Sequence, residues 1–339
     1  MDATLRDMPL RIKSFREQVR GFLARHGLRL EPVDYYAGLF CGGDMVCGGG
    51  YAGNTIKCVA VEEDHRGEGL SGKLLSHLLS RLRYEGAGNV FLFTKPENEA
   101  LFRDLSFCTV GLTETALLME TDSRGISSFC EGLGPFRQEG VSAGIVMNAN
   151  PFTNGHLHLV EQAKSRCDAL HIFVVEEDVS DFPYAVRKRL VKEGCAHIKG
   201  VFVHGGGPYI ISGATFPTYF LKEDSDFASV HAGLDVDIFG RRIAPCLNIS
   251  LRFAAEEPLD PATARYNAAM SGILPRYGVA PVIIPRKEEG GRVISASAVR
   301  RALAAGDREG LRPLVPPATL EYLLSPEGEN IAKSIKGKS

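Results

Sequence analysis

Apolar residues in the first third of the chain recur at two spacings. The stretch SGKLLSHLLSRLRYEG carries leucines at i, i+3, i+4 and i+7, which predicts an amphipathic helix ending at Gly86. Before it, MVCGGGYAGNTIKCVAVEED predicts two strands around a Gly/Asn turn, and after it NVFLFTK predicts a short buried strand. The stretches LRIKSFREQVRGFLARHGL and NEALFRDLSF have helical spacing, so this part mixes strands and helices.

Between about Thr121 and Val141 the apolar spacing typical of strands and helices is lost. The stretch SRGISSFCEGLGPFRQEG is rich in glycine and serine and has weak periodicity. We therefore predict a linker at residues 126–140, between a first domain at 1–125 and a second domain at 141–339.

The second part alternates short apolar runs with helical patterns. The runs GIVMN, LHIFVVEE, GVFVHGG, LNISLRF and APVIIPR predict strands. Between and after them, HLHLVEQAKSRC, AVRKRLVKEGCAHI and the end of VISASAVRRALAAGD predict helices. Short strands that alternate with helices indicate a parallel sheet with crossover helices, and therefore an α/β fold.

Composition narrows the function classes. The 339 residues are 44% hydrophobic and 24% charged, enough for a buried core in each domain. A net charge of −2 without a Lys/Arg block argues against nucleic-acid binding, and no apolar run approaches a membrane span. The first residues lack the apolar core of a signal peptide, and the eight cysteines form no C-x-x-C pair. We therefore expect a cytoplasmic protein without a metal site of its own.

The turn NANPFTNGH, between GIVMN and the next helix, is the first candidate site. Free N–H groups at the start of a helix favour anions, and Gly155 lets a ligand approach the backbone closely. Thr153 can cap the helix and present a hydroxyl, and His156 can donate a hydrogen bond to phosphate. With Asn148 and Asn150 in the same turn, the pattern predicts a phosphate site at the carboxyl edge of the sheet. Taken alone, the pattern favours a capped helix with a surface histidine over a phosphate site.

A second turn of the same kind lies near the end of the chain. In ISASAVR, Ser295, Ser297 and Arg300 stand at a helix start after the strand APVIIPR, a pattern typical of an anion site. A serine N-cap beside an exposed arginine is the alternative. Arg252, at the end of LNISLRF, is a further candidate by its expected place near the carboxyl edge of the sheet. Arg187 is a weaker candidate for phosphate or acetate, since a solvated charged face is as good an explanation.

The pair of turns carries a resemblance. The pattern T/H-x-G-H after the first strand, paired with I-S-x-S-x-x-R, resembles the nucleotidyltransferase superfamily, whose members bind ATP and attack its α-phosphorus. A Rossmann-like parallel sheet and release of pyrophosphate are what this resemblance implies. It also implies triphosphate contacts for the matching residues, which are Thr153, His156, Ser295, Ser297 and Arg300. Threonine stands where the first histidine is more usual.

Longer stretches resemble one family within that superfamily. NANPFTNGHLHLVEQA, YIISGATFPTYFLK, IFGRRIAPCLNISLRF and EEPLDPATARYN are similar to citrate lyase ligases, and the similarity extends over most of residues 141–304. The resemblance implies that acetate and ATP give acetyl-AMP and pyrophosphate. The acetyl group would then pass to the CoA-like thiol prosthetic group on the acyl carrier subunit of citrate lyase, with release of AMP. ATP would carry Mg²⁺, coordinated mainly by phosphate oxygens and water.

The first domain has a resemblance of its own. In HRGEGLSGKLL, the residues Arg66, Gly67, Gly69 and Ser71 resemble the Arg/Gln-x-x-Gly-x-Gly/Ala loop of GNAT acetyltransferases, which holds the pyrophosphate of coenzyme A. Serine replaces the usual glycine or alanine at the last position. Asn98 opens a stretch similar to a later helix of that fold. The resemblance implies a GNAT-like α+β domain that binds a coenzyme-A-like group.

Two other functions stay open on the sequence alone. The paired turns also suit an adenylyltransferase that acts on a phosphorylated acceptor and carries a fused acetyltransferase domain. A non-catalytic module that docks a carrier protein is the second alternative, and the serine at position 71 is compatible with it.

Overall fold

Two compact units make up the chain in the computed structural model. The first unit combines Met1–Ser127 with Pro217–Val230, and the second combines Ser128–Phe216 with His231–Ser339. The structure describes residues 3–177, 179–213, 215–222, 226–256, 261–289 and 292–338. Within these ranges, no helix is both long and apolar enough to cross a membrane.

The first unit is built on a mixed sheet. Its strands are β1 (Thr4–Asp7), β2 (Tyr35–Cys41), β3 (Asp44–Ala52), β4 (Thr55–Val61), β5 (Phe91–Thr94), β6 (Cys108–Leu112) and β7 (Leu117–Glu120). They lie in the order β1-β2-β3-β4-β5-β7-β6, and only β4 and β5 run parallel to each other. The helices of its first segment are α1 (Lys13–Arg25), α2 (Leu70–Tyr84) and α3 (Glu99–Asp104). The mixed sheet with its helices confirms that the first unit has an α+β fold.

The leucine pattern of α2 explains how this helix packs. Its leucines at positions 70, 74, 75, 78 and 82 are all buried, as an amphipathic helix on a sheet requires. They form one core with residues of β2, β3 and β5. The helix ends at Tyr84, two residues before the predicted end.

The second segment of the first unit is tied to the sheet by hydrogen bonds. Tyr219 is buried, and its hydroxyl donates to the Phe93 carbonyl at 2.5 Å. The backbone N–H and the hydroxyl of Thr218 donate to Glu31 at 2.6 and 3.0 Å. The N–H of Arg29 donates to the Tyr219 carbonyl at 3.1 Å. The predicted domain limits assign residues 217–230 to the second domain, whereas in the structure they belong to the first unit.

The second unit has a parallel sheet. Its strands are β8 (Ser142–Met147), β9 (Ala169–Val174), β10 (Val201–Gly205), β11 (Ile249–Ala255) and β12 (Ala280–Ile284), followed by the short hairpin β13 (Glu288–Glu289) and β14 (Arg292–Val293). The order β10-β9-β8-β11-β12, parallel throughout, confirms the predicted Rossmann-like sheet. From the central strand β8 the chain adds β9 and β10 toward one edge of the sheet. It then returns to the other side of β8 and adds β11 and β12 toward the opposite edge. Ligands of such sheets bind where this direction reverses, beyond the carboxyl ends of β8 and β11.

Helices cover the parallel sheet, and the sequence patterns predicted only three of those in the described residues. They are α4 (Gly125–Leu133), α5 (Asn154–Lys164), α6 (Tyr184–Gly194), α7 (Phe227–Ile238), α8 (Pro261–Ile273), α9 (Ala296–Ala305), α10 (Arg308–Leu311), α11 (Pro317–Leu323) and α12 (Pro326–Lys338). Helix α4 occupies much of the stretch predicted as a linker. Its apolar residues Ile126, Phe129 and Leu133 recur at helical spacing, but intervening serine and glycine weaken the pattern.

Candidate functional site

The turn after β8 forms a capping box at the start of α5. Thr153 is almost fully buried, and its hydroxyl accepts the N–H of His156 at 3.3 Å. In return, Nδ1 of His156 accepts the N–H of Thr153 at 3.0 Å. Since Nδ1 is an acceptor in this bond, the imidazole proton belongs on Nε2. Both named residues of the T-x-G-H pattern therefore shape one helix start.

His156 is held in its neutral form. Burial lowers the pKa of His156 to about 4, and the positive charge of Arg286 adds to the effect. The ring stacks on Phe152 with centroids 5.7 Å apart. A neutral imidazole with its proton on Nε2 is a hydrogen-bond donor at pH 7, as a phosphate contact requires.

Arg286 is a cation near this site that the sequence analysis did not select. It follows β12 at the carboxyl edge of the sheet, and its Nε donates to the carbonyl of Glu256 at 2.9 Å. Its influence on the pKa of His156 shows that the two side chains lie in one electrostatic environment. The sequence could have indicated Arg286, because an arginine shortly after a strand of a parallel sheet lies near the edge where ligands bind.

The two predicted turns meet in the structure. A Cβ atom added to Gly155 would lie 2.9 Å from the carbonyl oxygen of Ile294, so only glycine allows this approach. On the other side, Arg300 donates through Nη1 to the carbonyl of Asn150 at 2.6 Å. Its Nη2 donates to the Ser297 hydroxyl at 3.3 Å. The starts of α5 and α9 therefore lie side by side, and their N–H groups can bind one polyanion.

Replacing Gly155 with alanine should separate the two helix starts. The new methyl group meets a backbone oxygen, and relief of such overpacking typically costs about 1–3 kcal/mol. We expect the dissociation constant for ATP, measured by calorimetry, to rise about tenfold, the equivalent of about 1.4 kcal/mol. Gly132→Ala is the matched control, since a Cβ there meets nothing within 4 Å. Equal ATP affinity in both variants would contradict the close approach.

The residues of the second turn make different contacts. Ser295 is the N-cap of α9, and its hydroxyl accepts the N–H of Ala298 at 3.1 Å. Arg300 forms an ion pair with Asp181, at 3.2 Å between Nε and the carboxylate. Ser297 is exposed, and its hydroxyl accepts the hydrogen bond from Arg300. The turn thus holds a half-buried guanidinium in a fixed position.

Asn148 and Asn150 shape the first turn through their side chains. Asn150 accepts the N–H of Phe182 at 3.0 Å. Asn148 accepts Nη1 of Arg187 at 2.6 Å. Both amides therefore tie the turn to the segment that follows β9, and a role for them as nucleotide ligands stays a proposal.

Arg187 is a scaffold for the turn. It is fully buried and donates to the carbonyl oxygens of Asn148, Val175 and Phe182 at 2.7, 2.9 and 3.0 Å. Nη2 donates to the carbonyl of Glu177 at 2.5 Å. The hypothesis that this side chain neutralises phosphate or acetate is wrong, because the backbone engages its donors.

Arg252 lies in a different place from the one predicted. Strand β11 continues to Ala255, so Arg252 stands in the middle of the strand, beside Gly144 of β8. Its side chain is 1% exposed, and Nη2 donates to the hydroxyl of Tyr266 at 2.7 Å. The expectation that it sits at the carboxyl edge is wrong, because the apolar run continues for three residues after it.

The predicted loop of the first unit precedes α2. Gly67 and Gly69 have φ angles of +87° and +74°, which favour glycine, and Gly69 is the N-cap. Ser71 is the second residue of the helix, whose first N–H groups have no acceptor within the helix. Arg66 is exposed and pairs with Glu63 at 3.4 Å. The loop presents glycine, backbone donors and a cation, the features that an anion needs.

The start of α3 is fixed to the end of β5. Nδ2 of Asn98 donates to the hydroxyl of Thr94 at 2.9 Å. Phe102 and Phe107 are buried and contact each other edge to face. Ser106 adopts a φ of +69°, a conformation that usually selects glycine. In the structure, Asn98 thus positions a helix.

Fold and site together define the class of protein. It is a Rossmann-like parallel α/β unit in which two helix starts lie side by side, joined in one chain to an α+β unit. The profile of the citrate lyase ligase C-terminal domain matches residues 142–323. That match covers more than half of the chain.

Curated relatives narrow the class to one family. The chain is 43% identical to the [citrate [pro-3S]-lyase] ligase of Klebsiella pneumoniae, over 93% of this chain and 94% of that one. It is 44% identical to the same ligase of Escherichia coli (strain K12), over 82% and 81%. For the ligase of Haemophilus influenzae the identity is 37%, over 90% and 94%. The chain belongs to the citrate lyase ligase family.

Proposed function

We propose that this protein acetylates the thiol prosthetic group on the acyl carrier subunit of citrate lyase. Acetate and ATP give acetyl-AMP and pyrophosphate, and the acetyl group then passes to the thiol with release of AMP. The names of the relatives and the match of the carboxyl-terminal domain support this reaction. The contact of Gly155 with Ile294, which brings two anion-binding helix starts together, is the observation that carries the ATP step.

In the first step the protein has to stabilise phosphate charge. Acetate is ionised at pH 7, so it attacks without a general base. Its oxygen forms a bond to the α-phosphorus, while the bond to pyrophosphate breaks and pyrophosphate leaves with the electron pair. We assign the stabilisation of these oxygens to Nε2–H of His156, to Arg300 and to the N–H groups that start α5 and α9.

Magnesium fits this site as a companion of the nucleotide. Among the described residues, no group of three or more histidine, cysteine, aspartate or glutamate side chains is placed to hold a metal ion. The phosphate oxygens of ATP and water are the ligands that Mg²⁺ prefers in such cases. We therefore propose that ATP is bound as its magnesium complex, in which the ion neutralises phosphate charge.

In the second step the sulfur of the thiol forms a bond to the acetyl carbon while the thiol proton passes to water. The bond from that carbon to AMP breaks, and AMP leaves with the electron pair. The CoA-like prosthetic group carries anionic phosphate, and the loop with Arg66, Gly67 and Gly69 before Ser71 offers backbone donors and a cation for it. We propose that this loop binds the prosthetic group and that Asn98 keeps the neighbouring helix in place. We also propose the cytoplasm as the location, in line with the eight free thiols.

One incubation tests both steps. The protein is mixed with ATP, Mg²⁺, labelled acetate and deacetylated citrate lyase, and label, AMP and pyrophosphate are followed. We expect label on the acyl carrier subunit and AMP in equal amount, both dependent on acetate. Omitting acetate, or the lyase, supplies the controls.

Three results would contradict the proposal. Formation of AMP while the carrier stays unlabelled would refute the transfer step. Adenylylation of phosphopantetheine or nicotinamide mononucleotide without acetate would favour the adenylyltransferase alternative. Absence of any ATP binding would favour a docking module.

A further inference from the structure

A buried arginine in the second unit has donors without acceptors. Nε and Nη1 of Arg252 are inaccessible to solvent, and no side chain or backbone group among the described parts of the chain accepts from them. Nη2 donates to the Tyr266 hydroxyl. A buried cation with open donors is costly unless an anion pairs with it. The free enzyme therefore holds an arginine prepared for a ligand.

The surroundings of this guanidinium suit a small anion with an apolar end. The guanidinium lies over the ring of Phe239, 3.9 Å from its centroid, and the ring of Tyr266 lies at 5.9 Å. Packing is tight: a Cβ on the neighbouring Gly144 would lie 2.8 Å from the Phe239 ring. A carboxylate matches the guanidinium fork and a methyl group matches the aromatic rings, whereas a phosphate has no apolar end to place against them.

A chain of hydrogen bonds connects this place to the turn after β8. Asp235 accepts the Tyr266 hydroxyl and, at 2.7 Å, the N–H of Ile211. The next residue, Ser212, donates to Glu177 at 2.8 Å. Glu177 in turn accepts Nδ2 of Asn148 at 3.3 Å. The walls around the guanidinium and the candidate phosphate site thus belong to one connected structure.

We propose that Arg252 binds the carboxylate of the acid substrate and not a phosphate of ATP. This inference rests on the proposed function, since it places the nucleophile of the ATP step. One carboxylate oxygen pairs with the guanidinium while the other forms the bond to the α-phosphorus. Tyr266 and Asp235 act as positioning residues, because they hold the guanidinium through the Nη2 bond.

Binding measurements test whether Arg252 binds acetate, independently of whether the reaction takes place. Acetate binding is followed by saturation-transfer NMR in the presence of α,β-methylene-ATP, which does not react, and the affinity for that analogue is measured by calorimetry. For Arg252→Gln we expect acetate affinity to fall at least about tenfold, as for a lost charge-assisted bond. Analogue affinity should change less than about twofold, well below the tenfold equivalent of 1.4 kcal/mol. Arg252→Lys, which keeps the charge, should retain part of the acetate affinity.

Arg241→Gln is the matched control. That arginine also lies near an aromatic ring of this unit, but it is paired with Asp237 at 2.9 Å. We expect the acetate affinity of Arg241→Gln to equal that of the wild-type protein. Thermal unfolding of each variant shows whether it is folded.

The outcomes distinguish the inference from the proposed function. If Arg252→Gln keeps acetate affinity, or loses analogue affinity by the same factor, Arg252 is not the carboxylate site. If Arg252→Gln and Arg241→Gln lower the affinity for acetate by the same factor, the effect is not specific to Arg252 and the inference is also refuted. If wild-type protein binds acetate through Arg252 but labels no carrier, the proposed function is wrong while the inference stands.

Discussion

Replacing His156 with alanine lowers the rate of acetate-dependent AMP formation by about 10²–10³-fold, the usual effect of losing one fixed donor to transition-state charge. The reason is the neutral ring: its Nδ1 accepts the Thr153 N–H, and its Nε2–H is the donor that we propose for phosphate. The measurement is the initial rate of pyrophosphate release at saturating ATP and acetate. A smaller effect on ATP affinity than on this rate would show that the bond strengthens in the transition state.

His158→Ala is the control for this variant. His158 lies two positions further along α5 and therefore points to a different side of the helix. Its replacement should change the rate less than about twofold, well below the effect of one lost transition-state donor.

The pH dependence provides a second check on His156. Because its pKa is lowered to about 4, the ring is neutral throughout pH 6–8, and its contribution should be constant there. A rate midpoint near the ordinary pKa of histidine, about 6.5, that disappears in His156→Ala would contradict a neutral donor.

Arg187→Ala should destabilise the protein by about 3 kcal/mol or more. The substitution removes the donors of several buried carbonyl oxygens and leaves them unsatisfied. Urea unfolding followed by fluorescence or circular dichroism measures the loss. Because the same bonds hold the turn at Asn148, ATP affinity should fall together with stability.

Arg189→Ala on the same helix is the control. That guanidinium is half exposed and lies 3.7 Å from Glu327, so its loss should cost about 1 kcal/mol or less. If Arg187→Ala is as stable as this control and yet fails to bind ATP, Arg187 is a ligand and our scaffold assignment is wrong.

Local signals explain what the sequence could predict. The turn at Thr153 and the helix start at Ser295 were recognisable because capping residues and glycine stand directly beside apolar runs. The alternating strands and helices likewise predicted the parallel sheet. Each of these signals lies within a few residues of the structure that it specifies.

Contacts between distant residues explain what the sequence could not show. The pairing of Asn148 with Arg187, and the charge of Arg286 near His156, depend on how whole strands and helices are placed. The place of Arg252 was misjudged because the end of its strand was set too early. No local pattern marks a buried guanidinium with two donors that none of the described groups accepts.

The hydrogen bond from Tyr219 to Phe93 also sets an order of events during protein synthesis. All seven strands of the first sheet have left the ribosome before Tyr219 is made, well past the midpoint of the chain. Nascent first units therefore lack the hydrogen bonds from Thr218 to Glu31 and from Tyr219 to the Phe93 carbonyl while much of the second unit is translated. A fragment that stops at residue 127 would keep this unfinished surface, so an expression fragment for the first unit has to include residues 217–230.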